Sequence, residues 1–280
     1  MSDNGQQVGQ PPNGLRRALR FLHTSDVHLG AFDHSQHEQT ARRREQMHAT
    51  FEAVVDLTIR ASADFMVIAG DFFDNARVRE ETLRFAGEQL ARVPGPVVLV
   101  PGNHDHVGPG SVYDRLDLTH LAPNLILMRA PDGETVSLDE LGVELWGRSH
   151  VDADFSPFAG APLRGDAEWH IGVGHGHFLH PDAGPHSSYH ITEEQLAVLD
   201  HDYIALGHWE QQTRVAAGDG AVAAYSGAPD GLAGRTGGAV LLVHLEADGT
   251  VRLESHPVQP HRELVHHDAL PLLHGVTIPQ

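Results

Sequence analysis

Five short polar motifs in this sequence place carboxylates, imidazoles or an amide directly after apolar runs. The most specific is Gly-Asn-His-Asp, which follows the run VVLV at 97–100 and contains Asn103, His104 and Asp105. Asn and Asp side chains can hydrogen-bond their own backbone, so turn geometry alone would account for two of these residues. It does not account for the histidine between them. The other motifs are SDVHLG with Asp26 and His28, AGDFFD with Asp71, GVGHGH with His175, and LGHWE with His208 and Glu210.

These side chains form a donor set that suits divalent metal ions. Carboxylate, imidazole and amide groups without a thiolate favour Mn²⁺, Fe or Zn²⁺ in a mixed shell of oxygen and nitrogen ligands. The chain has no cysteine, which excludes disulfides and thiolate metal sites, and it has 23 histidines. Because the donors are more than one ion needs, the pattern favours two ions that share a carboxylate.

Alternating strand and helix patterns predict how residues so far apart in sequence can meet. Buried strands are predicted at 19–26, 64–71 and 96–103, with helices at 36–60 and 78–92 between them. This alternation is typical of α/β units with a largely parallel sheet, where ligands bind beyond the carboxyl ends of the strands. In the second half, strands are predicted at 143–150, 169–177, 202–210 and 221–229, a helix at 192–200, and a hairpin with an Asp-Gly turn at 237–258.

Length and charge limit the class of protein and its partners. The 280 residues favour one large domain at 19–258, preceded by a disordered tail at 1–18 and followed by a His- and Pro-rich tail at 259–280. The N-terminus lacks a signal-peptide pattern and no apolar run could span a membrane, so we expect a cytoplasmic protein with no membrane partner. The formal charge of −19 predicts weak non-specific affinity for nucleic acid.

The order of the five motifs resembles that of the calcineurin-like metallophosphoesterase superfamily. Within it, the chain is similar to the DNA-repair exonuclease branch, which includes the nuclease subunit that partners an SMC-like ATPase at DNA ends. The resemblance runs from about 19 to 258 and includes the phrases LHTSDVHLG, VIAGDFFD, VVLVPGNHD, WGRSH, DYIALGH and YSGAPDGL. It implies an α/β fold of four layers (αββα), with two mixed sheets flanked by helices and a dinuclear metal site at the strand ends.

The resemblance also implies a role for each motif residue. His104 is expected to face the scissile phosphate, and Asp105 to orient its imidazole. The cofactors are expected to be two divalent ions, with Mn²⁺ favoured and Fe or Zn²⁺ as alternatives. The expected ligands are Asp26 and His28 for the first metal, Asp71 as the bridge between both, and Asn103, His175 and His208 for the second.

The chain departs from the family pattern at Glu210, where the family has the second histidine of Gly-His-x-His. Glutamate binds Mn²⁺ or Fe²⁺ well, and an added anionic ligand would favour harder ions and raise the pKa of metal-bound water. The alternative is that Glu210 points outward and the first metal binds weakly. A competing register takes 174–177 as the terminal motif, with His120 or His150 at the preceding position. His177 could also lie close enough to compensate for Glu210.

The function that the resemblance implies is metal-dependent phosphodiester hydrolysis, with a DNA exonuclease or endonuclease as the leading interpretation. The related nucleases carry a further capping domain that helps to hold DNA, and residues 259–280 are too few to form one. Together with the negative charge, this leaves two alternatives open. One is a phosphodiesterase for a small nucleotide or cyclic diester, and the other is a weakly active subunit that binds a partner such as an SMC-like ATPase. Asp74, in AGDFFD, either orients the site or caps the helix that follows.

Overall fold

Two large mixed sheets, packed face to face, make up most of the described chain. The computed structural model describes residues 15–34, 37–151, 155–180, 189–218, 220–231, 237–258, 270 and 272–275. Strands and helices are numbered below in chain order. A further pair of two-residue strands, β8 (His177–Phe178) and β9 (His190–Ile191), lies outside the two large sheets.

The first sheet has the strand order β14-β13-β1-β2-β3-β4 in the described residues. Four of its strands run parallel, as the strand–helix alternation predicts, and the predicted hairpin adds two antiparallel strands beside β1. Nearly continuous apolar runs form its central strands because both of their faces are covered. The bounds are β1 Leu19–Thr24, β2 Phe65–Ala69, β3 Val97–Val100, β4 Leu125–Leu127, β13 Ala239–Leu245 and β14 Val251–Pro257.

The second sheet has the order β15-β11-β12-β10-β7-β6-β5. Its centre is parallel, with β10 between β7 and β12, and its edges include antiparallel pairs. The bounds are β5 Glu134–Leu138, β6 Val143–Gly147, β7 Trp169–His175, β10 Tyr203–Gly207, β11 Thr213–Val215, β12 Val222–Tyr225 and β15 Leu272–Leu273. The segment 259–280, which we expected to be a tail, therefore contributes a short strand to this sheet.

Helices cover the outer faces of both sheets and complete the predicted four layers. The helices are α1 Glu38–Arg60, α2 Glu80–Leu90, α3 Leu118–Leu121 and α4 Glu193–Ala197. The α1 residues Phe51, Val54 and Val55 pack on the first sheet, and Leu196 of α4 packs on the second. None of the helices in the described residues has the length and apolar character that a membrane crossing requires.

The core between the two sheets includes a buried polar pair among its apolar side chains. Phe21, Phe65 and Leu241 of the first sheet meet Ile171 and Tyr203 of the second. The His23 Nδ1 atom lies 2.8 Å from the Tyr203 hydroxyl oxygen, and both side chains are fully buried. This hydrogen bond links β1 of the first sheet to β10 of the second.

Candidate metal centre

The motif residues converge where the two sheets end side by side. Asp26, Asp71 and Asn103 follow β1, β2 and β3 of the first sheet, whereas His175 ends β7 and His208 follows β10 of the second. The contact between the sheets is direct, because His175 Nε2 lies 3.0 Å from Asn103 Oδ1 and 3.2 Å from Asp71 Oδ2. Residues more than a hundred positions apart therefore share one site.

Two glycines allow the strand ends to approach this closely. A Cβ atom on Gly207 would lie 1.8 Å from the Ala69 carbonyl oxygen, and one on Gly70 would lie 2.3 Å from His175 Nδ1. Both distances are far below van der Waals contact, so any side chain at either position would push the two sheets apart. Gly70 also has a φ of +85°, a conformation that glycine adopts without steric cost.

Four of the predicted ligands have backbone conformations that side chains rarely adopt. Asp26, His28, Asp71 and His208 have φ values of +53°, +51°, +49° and +111°, and they make up more than half of the non-glycine residues with positive φ in the described chain. Such conformations cost on the order of 1–3 kcal/mol each and persist only where the surroundings enforce them. Here backbone hydrogen bonds from Asp26 N to Gly70 O and from His28 N to Asp71 O hold the two loops together. The strain is concentrated at the candidate site.

The buried pair of Asp71 and His175 dominates the electrostatics of the site. His175 is fully buried, and its Nδ1 atom is 2.9 Å from the Ala69 carbonyl oxygen, which directs Nε2 towards Asp71. Burial lowers the pKa of His175, but attraction to Asp71 outweighs it and raises the pKa to about 9. Burial likewise raises the pKa of Asp71, but the charge of His175 outweighs this effect and lowers that pKa below its usual range. A positive charge is therefore stabilised beside Asp71.

Ligand atoms converge in two overlapping groups that share Asp71. One group contains Asp26, Asp71 and His175, and the other contains His28, Asp71 and His104; within each, the ligand atoms lie within 4.8 Å of one another. Burial raises the pKa of Asp26 above its usual range, and its Oδ2 accepts a hydrogen bond from the backbone N–H of His208. Buried carboxylates that converge in this way need a compensating cation.

Asp74 holds two of the site's imidazoles, a role that sequence reasoning could not separate from helix capping. Its Oδ1 atom lies 3.2 Å from His28 Nδ1, and its backbone carbonyl accepts a hydrogen bond of 2.8 Å from His104 Nδ1. Both contacts leave the Nε2 atom of the ring directed away from Asp74. The cap residue of α2 is Arg79, so Asp74 does not cap that helix. His104 itself is exposed, and its backbone N–H donates to Asp71 Oδ1.

The hydrogen bonds of Asp105 differ from our expectation that it orients the His104 imidazole. Asp105 is buried, and its carboxylate accepts hydrogen bonds from the backbone N–H groups of Gly102, Phe72 and Phe73. It also accepts one of 2.6 Å from the Tyr113 hydroxyl, a partner that no sequence pattern indicated. Asp105 thus joins the loop after β3 to the loop after β2 and positions His104 through the backbone, while Asp74 holds the ring.

His208 lies at the end of β10, beside His175 at the end of the neighbouring parallel strand. Their ring centroids are 5.3 Å apart. Burial and the nearby charge of His175 lower the pKa of His208 to about 3, which keeps its imidazole neutral and able to bind a metal. The Glu210 backbone carbonyl accepts a hydrogen bond from Ala228 N, and neither His208 nor Glu210 belongs to the two converging groups.

The histidines of the competing register lie in different surroundings. His120 is exposed on α3, where it pairs with Asp117. His150 is buried, and its Nε2 atom lies 2.6 Å from the His175 carbonyl oxygen. His177 Nδ1 accepts a hydrogen bond from Trp209 Nε1, and its ring centroid is 6.1 Å from that of His208. Of these histidines, His175 contacts Asp71 directly, and His208 follows the strand that pairs with the strand of His175.

Comparison with known proteins places this geometry in a family. Residues 19–211 match the family described as Calcineurin-like phosphoesterase. The DNA double-strand break repair protein Mre11 of Methanopyrus kandleri is 30% identical over 230 residues, which are 76% of this chain and 49% of that protein. The uncharacterized metallophosphoesterase YhaO of Bacillus subtilis is 27% identical over 201 residues, 68% of this chain and 48% of that protein. The chain thus spans about half the length of the curated relatives that it matches.

A solved structure supports the fold. The dimetal phosphatase from Danio rerio aligns with a TM-score of 0.57 at 14% identity, and the alignment covers 89% of this chain and 98% of that chain. At this level of identity the likeness establishes the arrangement of sheets and helices and does not identify a substrate. The two mixed sheets that the family resemblance implies are confirmed.

Proposed function

Since this chain belongs to the calcineurin-like phosphoesterase family and is a metal-dependent phosphoesterase, we propose that its substrates are phosphodiesters and that DNA ends are the main ones. The observation that carries this proposal is the pair of overlapping ligand groups that share Asp71, one of which includes the exposed His104. A shared carboxylate between two groups of donors suits two ions rather than one.

The donors fit divalent ions well. Two buried carboxylates, Asp26 and Asp71, stand within ligand distance of imidazole nitrogens, and the chain has no thiolate to offer. The division between the two ions follows the family pattern and not the two converging groups: we assign Asp26 and His28 to one ion, Asn103, His175 and His208 to the other, and Asp71 to both. We propose that Glu210 completes the ligands of the first ion, the one held by Asp26 and His28. This added carboxylate, together with the oxygen-rich donor set, favours Mn²⁺ over Zn²⁺. When bound, such ions polarise phosphate oxygens and make a bound water more acidic.

The chain's own residues bind and orient the phosphate. His104 is the exposed imidazole of the site, and its Nδ1–H is committed to the Asp74 carbonyl oxygen. Its Nε2 atom lies on the side of the ring away from Asp74, where, when protonated, it can donate a hydrogen bond to a phosphate oxygen or a proton to the leaving alkoxide. The bonds of Asp105 to Phe72, Phe73 and Gly102 keep this loop rigid, so the ring does not need to reorganise during the reaction.

The preference for DNA rests on the similarity to Mre11 proteins, whose alignments cover most of this chain. One observation favours a second candidate, a small nucleotide or cyclic diester: the formal charge of −19 repels a polyanion more strongly than a small ester. An SMC-like ATPase that supplies a basic surface would remove this difficulty, and we propose such a partner. A subunit that binds a partner with little activity of its own is the third candidate.

The test is cleavage by the intact protein with Mn²⁺, run in parallel on two substrates. One is an end-labelled DNA duplex with a single-stranded overhang, and the other is bis(p-nitrophenyl) phosphate. The variant is His104→Ala, and the matched control is His120→Ala, because His120 is an exposed histidine on α3 outside the site. We expect DNA cleavage to be lost in the first variant and unchanged in the second.

Each other outcome selects a different candidate. Turnover of the model diester without DNA cleavage would favour the small-diester enzyme. Turnover of neither substrate, with metal bound, would favour the partner-binding subunit. Equal DNA cleavage by the wild type and His104→Ala would show that the activity does not come from this site. Co-purification of an ATPase with the tagged chain from its own cells tests the proposed partner.

A further inference from the structure

The segment that follows β6 crosses from the second sheet to the first. It contains the end of the WGRSH motif at 146–150, which supplies none of the assigned metal ligands. The carbonyl oxygen of His150 accepts a hydrogen bond of 2.8 Å from Val107 N, and its backbone N–H donates a longer one of 3.5 Å to the Pro101 carbonyl oxygen. Pro101 and Val107 bound the part of the loop after β3 in which Asn103 lies. The main chain of His150 therefore holds both ends of that loop.

The ring of His150 contacts the main chain of a residue on the second sheet. Its Nε2 atom lies 2.6 Å from the His175 carbonyl oxygen, and because a carbonyl oxygen can only accept, this Nε2 atom carries the hydrogen. His175 is therefore held at two points, at its main chain by His150 and at its Nδ1 atom by the Ala69 carbonyl oxygen. Its own Nε2 atom remains directed towards Asn103 and Asp71.

Burial makes a histidine a costly residue at position 150. His150 is 1% exposed, and its Nδ1 atom is buried without a hydrogen-bond partner among the described residues. A buried polar atom without a partner costs free energy that an apolar side chain of similar size would avoid. An apolar side chain could not, however, donate to the His175 carbonyl oxygen. The hydrogen bond of Nε2, and not the filling of space, is therefore what this residue contributes.

We propose that His150 is a positioning residue that fixes the distance between Asn103 and His175. The side chains of these two ligands meet across the sheets, with His175 Nε2 3.0 Å from Asn103 Oδ1. His150 holds one of them through its main chain and the other through its ring, and it does not belong to the converging ligand groups. The inference rests on the proposed assignment of Asn103 and His175 to the second ion. The affinity for that ion, and not for the ion at Asp26 and His28, then depends on His150.

The test is a titration of the intact protein with Mn²⁺, monitored by electron paramagnetic resonance, which distinguishes an isolated Mn²⁺ ion from a coupled pair. His150→Leu keeps a side chain of similar size and removes the donor, whereas His150→Gln retains an amide N–H that can donate to the same carbonyl oxygen. The matched control is His201→Leu. His201 is also buried, and its Nδ1 atom bonds the Leu199 carbonyl oxygen, but it precedes β10 and so lies at the strand end opposite His208.

We expect the wild type to bind two ions and to show the coupled signal as the second one binds. His150→Leu should raise the Kd of the second ion about 10–100-fold, the range typical of contacts that orient metal ligands, and leave the Kd of the first ion unchanged. His150→Gln should recover most of this affinity, and His201→Leu should match the wild type for both ions. Melting curves without metal identify a variant that does not fold. If His150→Leu is such a variant, His150→Asn replaces it, because its shorter amide does not reach the His175 carbonyl oxygen.

Each contrary result overturns a different part of the argument. Wild-type affinity for both ions in His150→Leu would overturn the role of His150 and leave the assignment of the second ion intact. An equal loss in His150→Gln would show that the hydrogen bond to His175 is not what positions the ligands, and an equal loss in His201→Leu would show that any buried histidine has this effect. A single bound ion in the wild type would overturn the second ion itself, and the role of His150 with it. None of these readouts depends on cleavage of a phosphodiester, so a failure of the proposed substrates is seen separately.

Discussion

At the scale of single residues, Asp71 and His104 differ in a way that can be measured. Asp71 belongs to both groups of ligand atoms, so Asp71→Asn keeps the shape of the side chain and removes the shared charge. We expect this variant to lose bound metal together with activity. His104→Ala should keep its metal and lose about 10²–10⁴ in rate, because a ring that donates to the substrate contributes about that much. Elemental analysis after gel filtration, paired with turnover of a diester, distinguishes the two. Full metal content in Asp71→Asn would contradict the shared role.

The carboxylate of Asp74 makes a separate prediction because its two contacts use different atoms. Asp74→Ala removes the carboxylate beside His28 Nδ1 but keeps the backbone carbonyl that accepts from His104. Since groups that orient a metal-binding histidine typically contribute 10–100-fold in affinity, we expect a weakening of about that size. Asp74→Asn retains an oxygen that can accept from His28 and should recover most of it. Titration with Mn²⁺ measures both. Equal losses in the two variants would mean that charge, and not orientation of the ring, is what Asp74 supplies.

The sequence predicted which residues meet, but not how they are held. Apolar runs that end in Asp, Asn or His mark strand ends, and parallel strand ends share one edge, so the meeting of Asp26, Asp71 and Asn103 follows from the pattern. His175 lies on the second sheet and joins them because the two sheets end side by side, which the pattern alone does not encode. The bond from Tyr113 to Asp105 and the two contacts of Asp74 depend on where loops cross, which no periodicity encodes. The family resemblance implies that Asp105 orients the His104 ring, whereas the observed hydrogen bond of the ring is to the backbone carbonyl of Asp74.

At the scale of elements, the bond between β1 and β10 has a consequence for acid stability. Burial lowers the pKa of His23 from 6.5 to about 3, so the folded protein keeps this imidazole neutral where the unfolded chain takes up a proton. This contribution to stability is full above about pH 6.5 and is lost progressively as the pH falls towards 3. At pH 5 the loss is about 2 kcal/mol.

Urea unfolding at pH 7 and pH 5 in the presence of EDTA tests this prediction. The free energy of unfolding of His23→Gln should fall by about 2 kcal/mol less between these pH values than that of the wild type. His120→Gln, which changes an exposed histidine, should follow the wild type. If His23→Gln and the wild type show the same fall, then His23 is protonated in the folded state at pH 5.

Long elements were predictable, and short edge elements were not. The predicted helix at 36–60 is α1, Glu38–Arg60, and the predicted hairpin is β13 with β14. Short elements such as α3, β11 and β15 are too brief to show a period. The strands β11 and β15 form by pairing with the edge of a neighbouring strand, which the local sequence does not reveal. Predicted strands also ran two to four residues past the observed ends, because each predicted range included the polar motif that follows the strand.

At the scale of the whole molecule, the formal charge of −19 gives a prediction about salt. A basic nuclease loses affinity for DNA as salt rises, because it binds by neutralising phosphates. An acidic nuclease repels DNA, and added salt shortens the distance over which that repulsion acts. We therefore expect DNA cleavage at low substrate concentration to speed up between about 20 and 150 mM salt, while turnover of a small diester changes little. Initial rates on both substrates measure this, and a steep fall on DNA would reveal a local basic surface that outweighs the net charge.

The candidate centre draws its donors from both sheets, with Asp26, Asp71 and Asn103 on one and His175 and His208 on the other. Bound ions would therefore connect the two sheets, because each sheet supplies some of their ligands. A slip of one sheet against the other by even a fraction of an ångström would change the ligand distances before it exposed any apolar surface. Core residues away from the centre, such as Phe21 and Ile171, pack between the two sheets and set the distance between them. The catalytic rate should therefore be more sensitive to core packing than the melting temperature is. A core substitution that adds or removes one methyl group should lower the rate even where it leaves the melting temperature nearly unchanged.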